Sequence, residues 1–194
     1  MRSAIPALDT ERLLLTIPGR RAAEAYVRFN EENQRHLAPW NPPMTARHFD
    51  VCAQRELLDA QIDQFRSGTR YAFSIFERGT DPDGPLIGYV NFSEVARGLF
   101  LACYMGYALA EHAQGLGYMT EACRAGIEFI FKDVRLHRVM ANYMPHNARS
   151  AAVLDRLGFV REGLAKAYLF LHRAWQDHML TSLTNPEPVV PSPG

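Results

Sequence analysis

The sequence has no run of about 18 apolar residues, so no membrane-spanning helix is expected. Its start, Met-Arg-Ser-Ala-Ile-Pro, lacks the long apolar segment of a secretory signal. There is no excess of charge: 21 Lys and Arg balance 21 Asp and Glu. That balance argues against a broadly basic surface, and no direct nucleic-acid binding is expected. Cysteine is scarce. Cys52, Cys103 and Cys123 have no CxxC spacing and leave one over, so neither a metal site nor a disulfide framework is expected. A reduced, cytoplasmic setting fits them better. Cys103 and Cys123 sit in apolar-periodic runs, where a buried thiol is commoner than a nucleophile. No GxxxxGK[ST] loop occurs, which counts against a nucleotide-binding module of that kind. No internal repeat is found.

What is present suits one domain. The chain has 194 residues, 47% apolar and 22% charged, enough for one sizeable core. Residues 1–184 are expected to form it. Residues 185–194 hold four prolines and are expected to be a disordered tail.

The element order follows from periodicity and breakers. Glu11 to Ile17 predicts a strand, stopped by Pro18-Gly19. Arg21 to Asn33 predicts a helix, and three prolines make His36 to Pro43 a loop. Trp40, on that loop, either plugs the core edge or lines a pocket. Thr45 is the expected N-cap of a helix over His48 to Arg66. Strands are predicted at Tyr71–Glu77, Leu86–Ser93 and Leu101–Leu109, the first two joined by the Asp81–Pro85 turn. A helix to Lys132 then leads to a strand at Arg138–Tyr143, a crossover that makes the flanking strands parallel. Asn147 is the expected N-cap, and Gly158 the C-terminal stop, of a short helix. Tyr168–Leu171 and Trp175–Leu183 form a last hairpin. The order β-α-α-β-β-β-α-β-α-β-β is a mixed sheet of about seven strands with helices on both faces, in the α/β (α+β) class.

The organising stretch is Gln114-Gly115-Leu116-Gly117-Tyr118-Met119. It joins an apolar strand to a helix whose apolar face is Met119, Cys123, Ile127 and Ile130. A helix start presents unpaired N–H groups and a positive dipole end, which suit an anion such as a pyrophosphate. Gly115 and Gly117 let a ligand approach the backbone. An ordinary strand–helix turn has the same glycines.

These motifs, with Asn147-x-x-Ser150 and Leu157-Gly158-Phe159, resemble the GNAT superfamily of acetyl-CoA-dependent N-acetyltransferases over about residues 8 to 184. His36-Leu37-x-Pro39-Trp40, Ala141 to Asn147 and Trp175-Gln176-Asp177-His178 resemble its Rim group, which acetylates ribosomal-protein N-termini. Within that group the resemblance is nearest to the type associated with an alanine N-terminus. It implies a mostly antiparallel sheet, splayed between the fourth and fifth strands, where the thioester enters. In the pattern Q/R-x-x-G-x-G/A, Gln114 takes the first place and Gly117 the fourth, while Met119 departs from Gly or Ala. Backbone amides from Gly115 to Met119 are then expected to hold the pyrophosphate. Tyr107, Ala108 and Leu109 would pair with the pantetheine arm, as an extended ligand pairs with an open strand edge. Asn147 would hydrogen-bond that arm, and its bland role as a cap is compatible with this.

The expected reaction is direct attack of an amine on the thioester, with acetyl-CoA as co-substrate and no metal. Ser150 is the only hydroxyl of its helix and is expected to serve the departing thiolate; a small first-turn residue is its other reading. The fifth strand carries no carboxylate, so Glu94 and His146 are the candidates for moving the amine proton. His36, Trp40 and His146 are expected near the acceptor. An α-amine, with a pKa of about 7.7–8.0, needs less help to lose its proton than a lysine at about 10.4. This favours a protein N-terminus, on a ribosomal protein or particle. A small-molecule amine, or a non-catalytic acetyl-CoA-binding module, are the alternatives.

Overall fold

The computed structural model describes residues 5–191. Among these residues eight strands form one sheet in the order β1-β2-β3-β4-β5-β6-β8-β7. The strands are β1 (Leu8–Asp9), β2 (Leu13–Thr16), β3 (Tyr71–Glu77), β4 (Gly88–Ala96), β5 (Ala102–Leu109), β6 (Arg138–Tyr143), β7 (Val160–Leu171) and β8 (Ala174–Thr184). The helices are α1 (Ala23–Leu37), α2 (Val51–Ser67), α3 (Tyr118–Lys132) and α4 (Ala148–Leu157). Every strand pair is antiparallel except β5–β6.

Strand parity sorts the helices. Tyr26 of α1 bonds Ser74 Oγ at 2.5 Å, and Ser74 pairs with Tyr89, so α1 lies on the Tyr89 face. Val90 and Phe92 point the other way. There α3 packs so closely that a Cβ on Gly126 would sit 2.8 Å from the Phe92 ring. The face under α3 buries Phe73, Ile75, Val90 and Phe92 completely.

Strands β5 and β6 part after three partners: Ala102↔Arg138, Cys103↔Val139 and Tyr104↔Met140. From Met105 to Leu109, β5 pairs with β4 alone, while β6 stays with β8 as far as Tyr143↔Met179. The sheet is therefore split, as expected, and one edge of β5 is open.

Four local expectations change. Two residues, Leu8 and Asp9, add a strand at the edge, making eight. Thr45 opens only a 3-10 turn; Asp50 caps α2, its Oδ1 accepting from Ala53 N at 2.6 Å. The first helix continues to Leu37 because Phe29 and Leu37 both reach the core. The last hairpin is far longer than Tyr168–Leu183. Val160 to Ala167 shows no apolar alternation because it is an exposed edge strand, interrupted by two irregularities in register. Its turn, His172-Arg173, has positive φ at both residues (53° and 62°), the geometry of a tight hairpin without the usual Asn-Gly signal. Of the proline-rich end, residues 185–191 carry no helix or strand, and Asn185 Nδ2 donates to Leu136 O at 3.2 Å. Residues 192–194 lie outside the described residues.

Candidate active site

The turn after β5 shows how the first part of the site is made. Gly115 and Gly117 both adopt left-handed φ (78° and 82°), and Gly117 caps α3. The first bond of that helix is Glu121 N to Gly117 O, 3.2 Å. The amides of Tyr118, Met119 and Thr120 therefore precede the helical ladder, at the positive end of its dipole. Met119 sends its side chain inward, Sδ 3.5 Å from Cys123 Sγ, so its bulk does not fill the turn.

A cleft of about 1300 Å³ lies between this turn, the open edge of β5, the start of α4 and the end of α1. All ten residues expected to hold the cofactor line it: Tyr107, Ala108, Leu109, Gln114 to Met119 and Asn147. Ser150, His36 and Trp40 line it too. Glu94 and His146 do not. His146 instead lies behind Trp40, ring centroids 5.6 Å apart, and half-buried Trp40 is not sealed in the core.

Asn147 Oδ1 accepts from Ser150 N at 3.1 Å, so it is the cap of α4, and its amide NH₂ remains available. Ser150 Oγ lies 2.8 Å from Tyr107 Oη. Burial pushes the Tyr107 phenol up, with the nearby Cys123 adding to it, so Tyr107 stays protonated at neutral pH. Sequence reasoning assigned Tyr107 only its backbone. Strand parity was the available signal: an odd-numbered β5 residue shares the face that α4 covers.

His36 braces the turn. Gln114 Oε1 accepts from Arg149, which orients the amide, so Gln114 Nε2 donates to His36 Nε2 at 2.8 Å. The pair joins α1, the turn and α4 across the mouth of the cleft.

The opposite face of β5 carries a second group. Tyr104 pairs with Ser93, on the α1 side of the sheet, whereas Tyr107 pairs with Val90. Hydrogen bonding to Tyr168 raises the Tyr104 phenol, with burial and the Glu94 charge acting the same way. Tyr168 Oη accepts from Asn142 Nδ2 at 3.0 Å. Glu94 sits exposed at the β4 irregularity with φ 51°. His172 Nε2 donates to Pro39 O at 3.2 Å, tying the β7–β8 turn to the loop of Trp40. The Tyr107 and Tyr104 groups thus lie on opposite faces of the sheet beside the point where β5 and β6 part.

Cys103 and Cys123 are buried, and burial alone lifts the Cys103 thiol to about 12. Neither is a nucleophile at neutral pH. Among the described residues no cluster of three or more His, Cys, Asp or Glu is placed to hold a metal, and no helix is long and apolar enough to cross a membrane.

A split sheet with a glycine turn and helix start at its opening defines an acetyltransferase of the GNAT type. Residues 12–160 match the acetyltransferase (GNAT) domain model, and the chain belongs to that family of N-acetyltransferases. It is 40% identical to the [Ribosomal protein uS5]-alanine N-acetyltransferase of Escherichia coli, over 96% of this chain and 95% of that one. The ribosomal-protein-S5-alanine acetyltransferase of Vibrio fischeri superposes with a TM-score of 0.88 at 33% identity, covering 94% of this chain and all of that one. Mycobacterium smegmatis RimJ, solved with CoA-disulfide, superposes with a TM-score of 0.83 at 30% identity, covering 97% and 91%.

Proposed function

We propose that this enzyme transfers acetyl from acetyl-CoA to the N-terminal α-amine of a ribosomal protein, in the cytoplasm. The observation that carries the acceptor is the 40% identity to the E. coli uS5-alanine enzyme over nearly the whole of both chains. The cleft supports acetyl-CoA as donor. Its turn offers unpaired amides to a pyrophosphate, and its open β5 edge offers Tyr107 to Leu109 to an extended arm.

In this reading the acceptor enters on the Tyr104 face, under the Trp40 loop and the β7–β8 turn. The neutral amine nitrogen attacks the thioester carbon. The carbon–sulfur bond then breaks, the thiolate leaves with a hydrogen bond from Ser150 Oγ, itself in contact with the Tyr107 hydroxyl, and it takes up from water the equivalent of the proton that the amine releases. The amine loses its proton to water. Glu94, His146 and the Tyr104–Tyr168 pair border that path. A free α-amine is partly neutral near pH 7, so no strong base is required.

The test is mass spectrometry after incubation with acetyl-CoA and three acceptors: an alanine-initiated peptide, the same peptide with a blocked N-terminus, and free aminoacyl compounds. Acetylation of the first alone is expected. Transfer only to the small amines would overturn the acceptor assignment, and no transfer to any would leave a binding module.

A further inference from the structure

Arg12 stands just before β2, more than a hundred positions from the glycine turn, yet it holds that turn at one end of the cleft, whose wall it and Glu121 share. Its Nη1 donates to Leu116 O at 2.8 Å. Its Nε donates to Glu121 Oε2 at 2.8 Å, and its Nη2 is 2.6 Å from the same oxygen. Its backbone N–H reaches Glu121 Oε1 at 2.9 Å, and Thr10 Oγ1 reaches that oxygen at 2.6 Å. The guanidinium lies 4.8 Å over the Tyr118 ring. One side chain thus contacts three residues of the turn and first helical turn: Leu116, Tyr118 and Glu121.

The consequence is geometric. In a trans peptide the carbonyl and the N–H point in opposite directions. Holding Leu116 O against Arg12 therefore aims the Gly117 N–H away from Arg12. A glycine turn with φ of 78° and 82° has no side-chain packing of its own to keep that peptide from rotating. Glu121, on the same guanidinium, holds the first turn of α3 in register with it. The charge of Arg12 is matched by Glu121, so its contribution to an anion comes through the backbone it orients.

We infer that Arg12 and Glu121 form a positioning clamp that preorganises the pyrophosphate-binding turn without touching the cofactor. The inference rests on the acetyl-CoA reading above. If it is right, loss of the clamp weakens cofactor binding because the turn must be ordered on binding.

Calorimetry with CoA and steady-state kinetics on the full chain test it, using Arg12→Ala, Arg12→Lys and Glu121→Gln. The expected result is a rise of about tenfold or more in the CoA Kd and acetyl-CoA KM for all three, with kcat within about twofold at saturation. Arg12→Lys keeps a cation and guards against an Arg12→Ala chain that fails to fold. Lysine has one ammonium and no fork, so it cannot hold Leu116 O and Glu121 together in this geometry. The salt dependence of Kd should keep its slope in Arg12→Lys and Arg12→Ala. A slope reduced in Arg12→Ala alone would mean that Arg12 pairs directly with phosphate, and would overturn the clamp. Tighter CoA binding by Glu121→Gln would overturn it in the same way, by freeing the guanidinium for phosphate. Unchanged Kd in folded Arg12→Lys would also reject it. Wild-type chain that binds no CoA would instead reject the cofactor reading beneath it.

Discussion

Tyr107 and Ser150 bring two hydroxyls within 2.8 Å of each other across the seam between β5 and α4, beside the point where the sheet splits. A hydroxyl that must donate to a thiolate is more effective when a second donor occupies its own lone pair. The buried phenol is within reach to do that, and its raised pKa keeps the proton on oxygen.

Ser150→Ala should therefore slow turnover by roughly ten- to a hundred-fold, the value of a hydrogen bond to a charged group of about 1.5–3 kcal/mol. Tyr107→Phe should act in the same direction through Ser150, and the double variant should lose less than the product of the two. Acetyl-CoA affinity should change little in Ser150→Ala. Wild-type kcat in that variant, under conditions where chemistry limits the rate, would remove Ser150 from the reaction.

Gly117→Ala separates cofactor binding from folding. At φ 82° an L-residue costs about 1–2 kcal/mol, which in a domain of this size lowers Tm by several degrees. The added Cβ meets only Arg12 Nη2, at 3.4 Å, so the fold should survive. CoA affinity by calorimetry should fall well beyond what the Tm change accounts for. Unchanged affinity in the folded variant would move the pyrophosphate elsewhere.

Trp40→Ala tests the acceptor side. Trp40 is half-buried and lies against exposed His146 with the rings tilted, so its loss should raise the acceptor KM and leave acetyl-CoA affinity nearly intact. A large drop in Tm with an unchanged acceptor KM would make it a packing residue.

Glu121 gives the pH prediction. Burial alone would raise its carboxyl, but bonds from Thr10 and from the backbone and side chain of Arg12 hold it below its usual 4.5. A carboxyl depressed in the folded state is protonated more readily in the unfolded chain, so its contribution is present above the usual value and fades as pH falls through the folded one. Glu121→Gln should therefore be less stable than wild type at pH 7. The gap in urea midpoint should narrow below about pH 4. A gap independent of pH from 7 to 3 would mean that the ion pair contributes nothing.

Much of the architecture was legible because it is written locally. The strand before Gln114, the glycines and the helix after them are one contiguous signal. Asn147 and Gly158 delimit α4 through their own side chain and own φ. Thr45 misled because a second capping residue, Asp50, stands five positions on, and only the packing of α2 on α1 chooses between them. Val160 to Ala167 was missed because an edge strand exposed to water needs no apolar alternation.

The sequence by itself determined the element order, apart from the two-residue edge strand, and the anion-ready turn, since periodicity and glycine conformation act over a few residues; the split of the sheet followed from the family resemblance of its motifs. Only the tertiary structure decided how the site is braced. Tyr107 meets Ser150 across 43 positions, and Arg12 meets Glu121 across 109. No local propensity encodes those distances. They exist because β2, β5, α3 and α4 are brought to one end of one sheet, where burial and strand parity fix which side chains face each other.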